Sequence, residues 1–403
     1  MEISYGGVLV VLAAAVAAPV IAGLAPSLRL PAVALEIVIG LILGPSVLDV
    51  VQMDELLSLL STLGVGYLLF LAGLELDLTT LRGRVGVIFG AFALTCVLGL
   101  AFGTGLHVWD VHDQALLVAI ALASTSLGLV VPVLREAGQT RNEFGQTVMA
   151  TASVAEFGAL LLLTLFYSTG GESTATSAVL IGLFCVMALI IGLSIAGMNR
   201  LPSVWPALER LADTSSQLSV RAVLVVFFVF LAVSASLELE AILGAFVAGA
   251  LLRFLDREGH LENPTLKPKI EAIGYGFLVP IFFVTSGIQV DLDALLDSPK
   301  HLVLVPVFVL AMLLVRALPS YLFFRGLFDE RRRKAGSILQ ATNLTFVVVV
   351  AQLASQTGDL DGATAAALLA AGVLSVLLFP PISVGLLPGT DELEPDWDEP
   401  VDP

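Results

Sequence analysis

Apolar residues in this chain come in blocks of about twenty, and no other feature limits its fold as strongly. A helix rises 1.5 Å per residue, so about twenty residues cross the ~30 Å hydrocarbon layer of a bilayer. Charged residues make up only 13% of the chain and hydrophobic ones 57%, against roughly 25% and 45–50% in a soluble domain. The expected fold is an all-α polytopic membrane protein with about 13 spans, near 6–25, 31–48, 55–76, 85–106, 114–134, 142–168, 177–198, 219–237, 240–255, 270–289, 301–324, 335–356 and 362–387. Short loops make neighbouring spans antiparallel hairpins and leave no room for a soluble domain. Residues 1–388 read as one membrane domain and 389–403 as an acidic tail, with seven acids and three prolines from Asp391 to Pro403, expected to be disordered. No Lys or Arg precedes the first block, so that block is expected to stay as a helix rather than be cleaved as a leader.

Orientation follows from where Lys and Arg fall. The odd-numbered spans are followed by Arg29; by Arg82 and Arg84; by Arg135 and Arg141; by Arg200, Arg210 and Arg221; by Arg253, Arg257, Lys267 and Lys269; and by Arg325, Arg331, Arg332, Arg333 and Lys334. The opposite side holds only Lys300, and Arg316 lies inside span 11. Positive residues stay on the cytoplasmic side, so the N-terminus is expected outside a plasma (inner) membrane and the C-terminus in the cytoplasm. The outer side collects acids instead, which with the tail accounts for most of the net charge of −16. Such a face attracts cations, and nucleic acid is not an expected partner.

The sequence also repeats. Phe-Leu-Ala-Gly-Leu-Glu-Leu-Asp-Leu at 70–78 ends span 3, and Val-Thr-Ser-Gly-Ile-Gln-Val-Asp-Leu at 284–292 ends span 10. Ala-Ser-Thr-Ser-Leu at 123–127 in span 5 corresponds to Gln-Ala-Thr-Asn-Leu at 340–344 in span 12. Spans seven apart run in opposite directions, so residues 1–168 and 219–388 read as two inverted six-helix repeats around a linker helix at 177–198. Secondary transporters are commonly built this way, with discontinuous helices binding the substrate near the midplane. The polar patches in spans 5 and 12, which include Thr125 and Ser126, and Thr342 and Asn343, mark the two helices expected to be discontinuous.

Three ionisable residues fall well inside spans: Glu36, Glu156 and Arg316. A charge at the bilayer centre costs ~2.5–3.5 kcal/mol on insertion scales, so such residues usually serve function. Glu156 can hold a proton or a cation, Arg316 cannot lose its proton and is expected to compensate the charge of a carboxylate or of a helix C-terminus, and Glu36 is a candidate for the pathway. Cys96 and Cys185 have no metal-ligand spacing and read as small buried hydrophobes. The loop around His107 and His112 reads as solvated. Neither a metal site nor a cofactor is expected, and no nucleophile–base constellation suggests an enzyme.

Leu-Ile-Leu-Gly-Pro-Ser at 41–46, Phe-Leu-Ala-Gly-Leu-Glu-Leu-Asp at 70–77, Leu-Gly-Ala-Phe-Val-Ala-Gly at 243–249 and Pro-Ile-Phe-Phe-Val-Thr-Ser-Gly at 280–287 resemble the sodium/hydrogen-exchanger domain. The nearest branch is similar to the second monovalent cation:proton antiporter family, which includes the Kef-type potassium efflux systems. The resemblance implies a homodimer, a mobile core domain beside a dimerisation domain, and two crossed unwound helices next to a carboxylate motif. It implies that Glu156 stands where the ion-binding Asp of the family stands, with Ala155 in place of its first polar partner, and that Arg316 stands where the family has a basic residue. Kef-type members usually add a cytoplasmic nucleotide-binding domain. No dinucleotide fingerprint occurs here, so regulation is expected from a separate cytoplasmic subunit or not at all. The function expected is exchange of a monovalent cation, Na+ or K+, for H+ by alternating access, electroneutral and one-for-one at Glu156. The alternatives are a proton-independent cation channel or leak, and a proton-coupled carrier of a small organic solute on the same fold.

Overall fold

The computed structural model describes residues 5–24, 32–75, 84–106, 115–140, 142–167, 174–198, 217–237, 239, 241–255, 266–297, 299–357 and 360–387. Among them, ten helices are long and apolar enough to cross a membrane, and three shorter apolar helices accompany them. The expected blocks therefore reappear, with two kinds of difference. Span 2 is only α2 (Ala32–Leu43), because Pro45 follows at once and the residue before a proline avoids the helical region. Spans 5 and 12 are each two helices, α5 (Ala115–Ala123) and α6 (Leu127–Glu136), and α14 (Glu330–Gln340) and α15 (Thr345–Thr357). The interruptions fall on the polar patches at 124–126 and 341–344.

The remaining long elements are α1 (Tyr5–Leu24), α3 (Glu55–Leu74), α4 (Val85–Gly105), α7 (Glu143–Phe166), α8 (Thr174–Met198), α9 (Leu218–Ser236), α10 (Ala241–Leu255), α11 (Leu266–Ile288), α13 (Pro299–Phe323) and α16 (Gly362–Leu386). A short helix, α12 (Leu292–Leu296), joins α11 to α13. Several starts are fixed by a side chain on the orphan amides of the first turn: Asp54 on Leu57, Asn142 on Gly145, Asp329 on Arg331 and Arg332, and Asp361 on Thr364. Helices α11 and α13 each carry a π-helical turn, at Gly274–Leu278 and Leu313–Ala317, shortly before Pro280 and Pro319. Such turns are often found at functional sites, and Arg316 lies in the second.

Two groups of helices pack mainly within themselves. Helices α1, α2, α3, α9, α10 and α11 form a scaffold, and α4, α5, α6, α7, α13, α14, α15 and α16 form a core bundle. Helix α8 touches both, and the seam between them is made by α3 with α6, α10 with α7, and α2 with α16.

The inverted repeat is visible in how the scaffold packs. Helix α3 lies on α10, and α11 lies on α2. A Cβ on Gly73 would stand 2.3 Å from the Phe246 carbonyl oxygen, and one on Gly287 would stand 2.0 Å from that of Ile37. Reciprocally, a Cβ on Gly249 would stand 2.0 Å from the Phe70 oxygen, and one on Gly40 would stand 2.0 Å from that of Val284. Gly73 and Phe70 correspond to Gly287 and Val284 at an offset of 214, while Gly40 and Ile37 correspond to Gly249 and Phe246 at 209. One backbone-to-backbone contact is thus made twice. Small residues permit this close approach, which drives helix association where lipid offers no hydrophobic gain. Asp77, the sequence partner of Asp291, lies outside the described residues, as do the histidine loop and the acidic tail. Of the two cysteines, Cys96 is half-buried and Cys185 is exposed, so the expectation of burial fails for Cys185: it projects from α8 on the outside of the bundle.

Candidate functional site

Breaking a helix frees backbone groups that need partners. In spans 5 and 12 each broken helix supplies partners for the other. The Ser126 amide donates to the Thr342 carbonyl at 2.9 Å. The Ser126 hydroxyl accepts from the Leu344 and Thr345 amides at 2.9 and 3.0 Å, so it caps α15 rather than its own helix. Thr125 donates to the Gln340 carbonyl at 2.6 Å, and the Asn343 side-chain amide donates to the Ala121 carbonyl, also at 2.6 Å. A sixteenth-helix residue completes the frame: Ser375 accepts from the Asn343 amide at 3.1 Å. The expected group Thr125, Ser126, Thr342 and Asn343 is thereby brought together, and all four are fully buried.

The ends that meet here carry unlike partial charges. The N-termini of α6 and α15 contribute positive ends and the C-termini of α5 and α14 negative ones. Glu156 answers the first. Its side chain, 1% exposed, accepts from the Leu127 amide at 3.0 Å, at the first turn of α6. Arg316 answers the second. It is fully buried and donates to Thr125 Oγ1 at 2.7 Å, Gln340 Oε1 at 2.6 Å and Thr95 Oγ1 at 3.3 Å. All three acceptors are neutral, and Gln340 is itself held by the Val148 carbonyl at 2.7 Å. Arg316 is therefore bound on the side of the α14 C-terminus, and its described hydrogen bonds go to no carboxylate.

At the two breaks, four buried oxygens have no hydrogen-bond partner among the described residues: Ser124 Oγ, Thr342 Oγ1, Asn343 Oδ1 and Thr345 Oγ1. Buried polar atoms are nearly always satisfied, and an exception calls for an explanation such as a bound ion. All four belong to the two breaks, and all are neutral hard donors of the kind that coordinate alkali and alkaline-earth cations. Glu36 is buried as expected, but it belongs to the scaffold, where α2 packs on α1 and α11. It takes no part in the hydrogen-bond network of the crossing. Thr95 on α4 and Ser375 on α16 are the residues sequence reasoning missed. A single hydroxyl in an apolar span carries no periodic signal, and each gains meaning only from the helix it faces. No group of three or more metal-ligating His, Cys, Asp or Glu side chains occurs among the described residues.

These features define a polytopic helical membrane protein built on two crossed discontinuous helices with a buried carboxylate at the crossing. Residues 11–387 match the model of the sodium/hydrogen exchanger transmembrane family, and the chain belongs to that family. YjbQ of Bacillus subtilis (strain 168) is 30% identical over 373 residues, covering 88% of this chain; the chain spans 58% of that protein's length. The Na(+)/H(+)-K(+) antiporter GerN of Bacillus cereus is 28% identical over 270 residues, 66% of this chain and 67% of GerN. The sodium proton antiporter MjNhaP1 from Methanocaldococcus jannaschii has the same fold, with a TM-score of 0.68 over 96% of both chains at 16% identity.

Proposed function

We propose that the protein exchanges a monovalent cation for H+ by alternating access, one for one, at Glu156. The observation that carries this is a fully buried carboxylate, held by one backbone amide at the break between α5 and α6, beside breaks that leave four buried oxygens unpartnered. A carboxylate satisfied by a single donor has room for a proton or for a cation, and competition for one site makes the exchange obligatory. Either occupied form is neutral, so the core can move past the scaffold without carrying a bare carboxylate charge; the empty, ionised form crosses poorly, which prevents a leak. Arg316 keeps its charge throughout and offsets the helix ends rather than shuttling protons. Ala155 offers no second titratable group, which favours electroneutral exchange. The family match and the name of GerN support Na+ and K+ as the cations.

The proposal extends to a homodimer with the N-terminus outside and the C-terminus in the cytoplasm, in the Kef-like branch of the family. Antiport by the purified protein in liposomes, with the membrane potential clamped at several values, tests the stoichiometry. A rate independent of potential is expected, and a reversal point that tracks the potential overturns one-for-one exchange. Proton competition adds a second readout: the apparent KM for the cation rises by up to about tenfold for each unit by which pH falls, as mass action at one shared site requires.

A further inference from the structure

Away from the crossing, the seam between core and scaffold holds a second cluster of charges, at the C-terminal ends of α3 and α6. Arg135, on the core helix α6, reaches Glu75 Oε1 at 3.3 Å and Glu271 Oε1 at 3.6 Å, both on the scaffold. Glu75 is the residue after the last turn of α3. Its side chain is 14% exposed, and its Oε2 is buried with no hydrogen-bond partner. A cavity lies beside it, lined by Glu75, Leu74, Arg253, Lys267, Ile270 and Tyr275.

We propose that Glu75 is a proton-operated gate at this mouth: neutral while core and scaffold are closed over it, and ionised when they part and water reaches it. The inference rests on the alternating-access reading, because it needs the seam to open. Two features of the geometry support it. The only described ties of Glu75 across the seam run through Arg135, so relative motion of α6 and α3 must expose it. And one carboxylate oxygen is shut away from any donor, which penalises the charged form in the closed arrangement.

The groups facing Glu75 are Arg135 from α6, Lys267, Glu271 and Tyr275 from α11, and Arg253 from α10. Burial pushes the Glu75 carboxyl up from an ordinary 4.5 to about 7, and Glu271 adds to this, although Arg135 and Lys267 pull the other way. The sign of the linkage follows. A group that binds its proton more tightly in the closed mouth than in the hydrated one favours closure at low pH. As pH rises from the hydrated value, about 4.5, to the closed value, about 7, opening becomes easier by up to about tenfold per unit. Above about 7 the curve flattens, because both forms are then ionised.

The test is accessibility of the cavity wall in the full-length protein in liposomes. In a Cys96→Ala, Cys185→Ser background, Ile270→Cys supplies a thiol on that wall, with Leu74→Cys as a second reporter. Labelling by a membrane-impermeant maleimide, corrected for the thiolate fraction, is followed from pH 5 to 8.5. The parent is expected to rise from pH 5 to 7 and level off. Adding Glu75→Gln, which mimics the protonated form, is expected to leave labelling slow and flat. Adding Arg135→Gln, which removes the cross-seam tie and the cation that offsets Glu75 when closed, is expected to speed labelling at pH 7 and above. A rise that survives Glu75→Gln, a parent with no rise, or an Arg135→Gln variant no faster than its parent overturns the gate. Labelling needs no transport, so its outcome is separate from the fate of one-for-one exchange at Glu156.

Discussion

The scaffold pairs and the crossing are both made by matching parts of the two repeats, yet they solve opposite problems. At Gly40, Gly73, Gly249 and Gly287 the side chain is removed so that two backbones close on each other. The contact fixes the two halves of the scaffold together. At the crossing the two broken backbones are tied to each other by Thr125, Ser126 and Asn343, and oxygens remain unmet. One repeat therefore yields both a close-packed joint and a crossing with unpartnered oxygens. Stability and transport should separate when the two are altered.

The largest effect is expected at the crossing. Glu156→Gln still offers a carbonyl to the Leu127 amide but cannot exchange a proton for a cation. Antiport should fall to background while thermal melting stays near that of the parent; retained antiport would remove Glu156 from the mechanism. The scaffold comes next and in the opposite sense. Gly40→Ala and Gly249→Ala each force two backbones apart, at a cost of about 1–3 kcal/mol. The two should lower the melting temperature by similar amounts, since they are equivalent positions, and leave the apparent KM for the cation unchanged. A large loss from one and none from the other would break the symmetry.

Arg316 lies between these extremes. Arg316→Ala leaves Gln340 Oε1 buried without its cation and strips donors from Thr125 and Thr95, a loss of about 1–3 kcal/mol. Both melting and antiport should suffer, and Arg316→Lys should be milder. Unchanged melting of Arg316→Ala would mean that its bonds hold nothing together. The smallest structural effect belongs to the unpartnered hydroxyls. Thr345→Val and Thr342→Val remove oxygens that bond nothing, so stability should change by no more than about 0.5 kcal/mol. A weaker apparent affinity for the cation is expected in both, and an unchanged affinity would exclude these oxygens from its coordination.

The sequence by itself determined the spans, the discontinuities and the buried acid. Block length and hydropathy are local, and a polar patch inside an apolar block must find partners or break the helix, so residues 123–127 and 340–344 announced the two discontinuities. Glu156 stood out because a carboxylate in hydrocarbon is costly wherever it packs. What only the tertiary structure decided is who faces whom. Glu36 looked much like Glu156 in the sequence, and packing assigned it to the scaffold. Arg316 was expected to offset either a carboxylate or a helix C-terminus, and the structure gives it neutral partners at the α14 C-terminus. Thr95, Ser375 and the bridge from Arg135 to Glu75 and Glu271 join residues far apart in the chain. Their meaning lies in distances of a few ångströms between helices, and composition and periodicity hold no record of those, because each span satisfies its own backbone first and leaves its neighbours to be chosen by side-chain fit.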